Sequence, residues 1–161
     1  MPTKQQKMRE YLVIKTDVEY NAAIRLFKEY AEWLNIDLGF QHFDEELQNL
    51  KTMYNSTDGG IILCKENDNF IACVAIRKIT KDIAELKRMF VQPIHQHKGV
   101  GKILLEKAIT LAVNCNYKYI RLDTLNHMTP AINVYKKYGF YEIEAYYNNP
   151  VSTAVYFEKK L

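Results

Sequence analysis

The chain has 161 residues, a length that points to one domain with a core large enough to need no disulfide or metal staple. Hydrophobic residues make up 48% and charged residues 25%, an ordinary soluble composition without the 18-residue apolar run that a membrane-spanning helix requires. The net charge of +3 suits a small anionic ligand, while the mixing of both signs along the chain speaks against a nucleic-acid-binding face.

Residues 1–9 are polar, lack the apolar stretch of a signal peptide and are expected to form a flexible N-terminus ahead of a domain spanning 10–161. A first strand is predicted over 11–15. Asp17 is the expected cap of the helix that follows. Val18, Ala22/Ala23, Leu26/Phe27, Tyr30 and Trp33/Leu34 recur at helical spacing, and Asn35 and Gly39 end the run. A second, shorter helix is expected over 44–54. The loop 55–60 then leads into a hairpin of strands 61–65 and 70–79, and a turn at 80–82 into a strand over 83–91.

Pro93 cannot donate to a sheet ladder, so the strand ends near Val91. Apolar spacing from Val100 through Ile103/Leu104, Ala108, Leu111/Ala112 and Cys115 marks a helix running to about residue 114. Between them lies Gln96-x-x-Gly99-x-Gly101. Glycines let the backbone turn there, and free N–H groups at a helix start favour an anion, phosphate above all. The loop is neither Gly-x-x-x-x-Gly-Lys-Ser/Thr nor Gly-x-Gly-x-x-Gly, so neither common nucleotide motif is present. A plain strand-to-helix turn satisfies the same glycines. A strand over 119–124, a helix from Pro130 to the stop at Gly139, and strands over 141–146 and 154–158 complete the chain. The predicted class is α+β: a twisted, largely antiparallel sheet with helices on both faces, in the order βααββββαβαββ.

Three cysteines (Cys64, Cys73, Cys115) stand far apart in apolar segments, as buried residues of a reducing, cytoplasmic compartment do. The four histidines show no ligand spacing, and no metal is expected.

The loop Gln96-x-x-Gly99-x-Gly101 resembles the Gln/Arg-x-x-Gly-x-Gly/Ala loop of the GCN5-related N-acetyltransferase (GNAT) superfamily. The segment 85–91 resembles that family's fourth strand, Arg121-Leu-Asp-Thr124 its fifth, and Ala131-x-x-x-Tyr135-x-x-x-Gly139-Phe140 its tyrosine-bearing helix. The resemblance covers about residues 10–161. It implies acetyl-CoA as cosubstrate and an N-acetyltransferase that moves an acetyl group to a primary amine of a small molecule or peptide by direct attack in a ternary complex. No cysteine occupies a motif position to serve as a covalent nucleophile. The alternative is a non-catalytic acyl-CoA-binding or interaction module on the same fold. Homodimers are common on this fold.

Carried onto this sequence, the resemblance makes the backbone around Gln96, His97, Lys98, Gly99, Val100, Gly101 and Lys102 the pyrophosphate site. It gives Met89, Phe90 and Val91 main-chain contacts to pantetheine, with one N–H as oxyanion donor, and places Asn133 near the cofactor. The side chains of His97, Lys98 and Lys102 serve equally as a solvated basic face. Tyr135 occupies the position of a general acid, or of a tyrosine packed on the core. Glu85, fourteen residues before Gly99, matches the general base of the histone-acetyltransferase branch, or is a strand charge paired with Lys87 or Arg77. Asp123 is a weaker alternative base or a structural group. Phe40 and Phe43 resemble a bacterial branch in which the segment between the first two helices lines the acceptor pocket, or are core residues. Tyr146, Tyr147 and Asn148 are candidates for the pocket rim. Two departures stand out: Met128 where many members have Asn, and Gln96 in place of the commoner Arg, which removes one cationic contact.

Overall fold

A computed structural model describes residues 8–161; most of the expected flexible segment, residues 1–7, lies outside the described residues. Seven strands form one sheet in the order β1-β2-β3-β4-β5-β7-β6. They are β1 (Arg9–Val13), β2 (Gly60–Glu66), β3 (Asn69–Lys78), β4 (Ile83–Val91), β5 (Tyr119–Leu125), β6 (Tyr141–Ile143) and β7 (Ala154–Lys160). All neighbours are antiparallel except β4 and β5. The α+β class is as expected, and the meander between the early helices and the glycine loop holds the three strands read at 61–65, 70–79 and 83–91, one fewer than the order βααββββαβαββ counts there.

The helices are α1 (Asp17–Leu34), α2 (Phe43–Gln48), α3 (Leu50–Met53), α4 (Val100–Asn114) and α5 (Thr129–Lys137). They divide between the faces because the strands carry apolar side chains on both. Ile62, Val74 and Ile76 face α4, where Leu104, Leu105 and Ala108 meet them. Ile61, Leu63, Cys73 and Ala75 face Ala23, Leu26 and Phe27 of α1. Strands buried on both faces read as near-continuous apolar runs, as β2 and β3 do.

Three local expectations need correction. Thr16, not Asp17, caps α1: its hydroxyl accepts from the Glu19 N–H, and the Glu19 carboxylate accepts from the Thr16 N–H in return. The single helix expected over 44–54 is broken at Asn49, whose side chain donates to the Glu45 carbonyl at 2.8 Å. A 3₁₀ turn, Leu38–Gln41, precedes α2. The strand expected over 141–146 stops at Ile143, and the chain then leaves the sheet so that Tyr146 and Tyr147 turn towards β4 and β5.

Candidate active site

The parallel pairing of β4 with β5 runs only from Ile83↔Tyr119 to Glu85↔Arg121. Both strands continue, β4 to Val91 and β5 to Leu125, so they diverge and leave a wedge in the middle of the sheet. A cavity of about 470 Å³ occupies it. Its walls come from both layers: α1 and the turn after it on one side, the glycine loop and α5 on the other.

At the glycine-loop end, His97 and Gly99 both take left-handed backbone conformations (φ 62° and 83°) on either side of Lys98. Left-handed residues alternating with ordinary ones are a feature of anion-binding backbone turns in general, and Gly99 is the N-cap of the 15-residue α4. A Cβ on Gly99 would meet nothing, so its requirement is conformational, not spatial. Gln96 donates to the Val91 carbonyl at 3.0 Å, tying the loop to the end of β4. Gln96, His97, Gly99, Val100, Gly101 and Lys102 reach the cavity, whereas Lys98 and Asn133 are exposed and do not.

On the floor, β4 carries one extra residue opposite Val74, because Cys73 pairs with Phe90 while Ala75 pairs with Lys87. Arg88 absorbs the bulge with φ 57°. Such a bulge frees backbone groups from the ladder and re-aims side chains. Met89, Phe90 and Val91 line the cavity just beyond it. The Phe90 ring packs against Trp33 and Tyr30.

Tyr135 lies in the wall from α5, 5% exposed and tilted against Phe140. Its hydroxyl makes no hydrogen bond among the described residues. Burial, with Tyr30 and Asp123 nearby, pushes its pKa well above that of a free phenol, so it holds its proton. Asp123, on β5, also lines the cavity. Burial raises its pKa against the lowering effect of a 2.7 Å hydrogen bond from the Tyr147 hydroxyl.

Glu85 is not brought onto this wall. It is 3% exposed, and both its oxygens are engaged: Oε1 by Arg77 Nε at 2.8 Å, Oε2 by the Tyr146 hydroxyl at 2.6 Å. Lys87, named in the sequence only as a possible partner of Glu85, lines the cavity, and the ion pair beside it had no signal assigned to it. Arg88 donates to both oxygens of Glu46 at 3.0 and 2.8 Å and to Gln41 Oε1 at 2.7 Å. Gln41 in turn donates to the Tyr147 hydroxyl, so one hydrogen-bonded chain runs from α2 to Asp123. The available signal was the adjacent Lys87-Arg88 pair inside a strand otherwise rich in apolar residues.

Comparison with known proteins gives the family and the fold. The pattern of the acetyltransferase (GNAT) family matches residues 27–140. An uncharacterized N-acetyltransferase of Dictyostelium discoideum is 31% identical over 83% of this chain and 90% of its own length. Another from Schizosaccharomyces pombe is 32% identical over 81% and 82%. Among solved structures, the PaiA N-acetyltransferase of Thermoplasma acidophilum in complex with coenzyme A superposes with a TM-score of 0.74 at 18% identity, over 96% of this chain and 99% of that one. The chain belongs to the GNAT family and is an N-acetyltransferase.

Proposed function

We propose that this enzyme transfers the acetyl group of acetyl-CoA to a primary amine by direct attack in a ternary complex. The observation that carries this is the single cavity through the β4–β5 wedge, with an anion-binding backbone at one mouth and Tyr135 and Asp123 on its walls. Acetyl-CoA supplies an activated thioester. The N–H groups of the 97–102 loop hold its pyrophosphate, assisted by Lys102 at the cavity edge. The backbone freed around the Arg88 bulge accompanies the pantetheine arm, and an N–H near Met89–Val91 stabilises the thioester oxygen as it becomes negative.

Asp123 takes the proton of the acceptor ammonium, leaving a neutral amine to bond to the acetyl carbon. As the carbon–sulfur bond breaks, Tyr135 gives its proton to the departing sulfur. Asp123 replaces Glu85 in this role because its carboxylate faces the cavity and Glu85 is held by Arg77 and Tyr146. Glu85 then supports Tyr146 and the loop that carries Tyr147. Direct attack fits the walls, since no cysteine lines the cavity among the described residues.

Thiol release from acetyl-CoA, measured across a panel of amines, tests the reading. Tyr135→Phe should lower kcat by about a hundredfold or more, with little change in acetyl-CoA affinity. Full kcat in that variant would remove the general acid. Coenzyme A binding without turnover of any amine would point to an acyl-CoA-binding module.

A further inference from the structure

The two strands that border the wedge carry charged groups with a chemistry of their own. Lys87 and Asp123 sit two residues beyond the last paired positions, Glu85 and Arg121, on the same sheet face and on opposite sides of the wedge. Both line the cavity. Lys87 is 8% exposed and makes no hydrogen bond among the described residues. Its one ion pair is 3.8 Å from Glu85 Oε1, an atom already occupied by Arg77 at 2.8 Å. An ammonium has three donors, and burying them unanswered is costly. Arg88, by contrast, makes three hydrogen bonds, two to Glu46 and one to Gln41. Asp123 accepts only from Tyr147, through Oδ2, which leaves Oδ1 free. From the α1 side, Trp33, Leu34, Ile36, Leu38 and Phe40 add an apolar lobe to the same cavity, with Trp33 against Phe90.

We propose that the acceptor is an α-amino acid with an apolar side chain: Lys87 holds its carboxylate, Asp123 its amine, and the lobe around Trp33 its side chain. The inference rests on the acetyltransfer reading above. It follows from matching each unanswered group to a complement. Among the described residues Asp123 is the only acidic side chain on the cavity wall, so a polyamine or aminoglycoside would find one partner for several charges and would meet Lys87 besides. A simple amine would leave the Lys87 ammonium unanswered, and sites built to bond a polar group reject analogues that lack it.

The test compares L-leucine, L-methionine and L-phenylalanine with isoamylamine, 3-(methylthio)propylamine and phenethylamine, and with spermidine, by thiol release from acetyl-CoA. The amino acids should exceed their decarboxylated counterparts by about a hundredfold or more in kcat/KM. Lys87→Met should reduce that ratio to within about tenfold. Trp33 is the chain's single tryptophan and lines the lobe, so its fluorescence in the wild-type protein with coenzyme A should respond to L-leucine at concentrations where isoamylamine has no effect. Equal use of amines or spermidine would overturn the carboxylate assignment while leaving N-acetyltransfer intact. An unchanged preference in Lys87→Met would remove Lys87 from recognition. No thiol release with any amine would overturn both readings together.

Discussion

Lys87 carries a charge into a place that water scarcely reaches. Burial, and then the neighbouring Arg88 cation, push its pKa down to about 8, against a weaker opposing pull from Glu85. The consequence for stability has a definite sign. Above about 8 the folded chain has released this proton, while the unfolded chain keeps it until about 10.5. The unfolded state therefore binds more protons across that window, and stability rises with pH there. The full difference amounts to about 3 kcal/mol at about 1.36 kcal/mol per unit of pKa. Lys87→Met should remove this slope and be more stable than wild type at pH 7.5 by about 1–3 kcal/mol, because Glu85 keeps Arg77 and Tyr146 as partners. Urea unfolding of both proteins at pH 7.5 and pH 10 checks it, and a parallel pH dependence in the two would refute the assignment.

At the scale of elements, α2 is six residues long and cannot hold its place by helix propensity. It is fixed by the Glu46–Arg88 pair, in which Glu46 is fully buried and Arg88 is 4% exposed, with the guanidinium over the Phe43 ring at 5.2 Å. Burial alone would raise the Glu46 pKa, but the hydrogen bonds and charge of Arg88 outweigh it and the net shift is downward. That pair contributes stability above the ordinary glutamate range and loses it as pH falls through the depressed value. Glu46→Gln leaves a buried cation uncompensated, so it should cost about 3–5 kcal/mol at pH 7 and flatten the acid limb of the stability profile. Because the 3₁₀ turn Leu38–Gln41 is held by the same Arg88, the variant should also raise the acceptor KM while leaving coenzyme A affinity nearly unchanged. Denaturant titration at pH 7 and pH 4, with kinetics at varied acceptor, measures both. Little of this was legible in the sequence. The repeating patterns of α1, α4 and β2–β4 located those elements because periodicity is a local signal. Tyr135, Asp123 and the glycine loop could be placed on their elements for the same reason. The Glu46–Arg88 bond spans 42 residues, and the hydrogen bond that engages Glu85 Oε2 comes from Tyr146, 61 residues on. Such pairings depend on how strands are aligned and where a bulge falls, which no spacing along the chain records.

The whole molecule is a sheet whose two central strands part, with a separate hydrophobic layer on each face. β4 belongs to both layers, Leu86 to the α4 side and Phe90 to the α1 side, whereas the paired residues joining it to β5 number three on each strand. The wedge is therefore the place where the ladder between the two central strands stops and a cavity begins. A ligand that fills it from the α4 N-terminus past Met89–Val91 to Tyr135 touches β4, α4 and α5 together and should stabilise the fold as a unit. Any molecule that binds only the native state adds RT ln(1 + [L]/Kd), about 2.7 kcal/mol at a hundred times Kd. For a chain of this size that corresponds to a rise in Tm of about 5–10 °C. The rise should depend on the left-handed turn at Gly99, since φ 83° is strained for any side chain even though a Cβ there meets no atom. Gly99→Val should therefore lose most of the acetyl-CoA-induced rise, while Gly99→Asn, which tolerates the left-handed region, should retain more of it. Thermal scans with and without acetyl-CoA decide the matter. Equal shifts in wild type and Gly99→Val would mean that the loop does not hold the ligand's phosphates and that the wedge is filled by some other route.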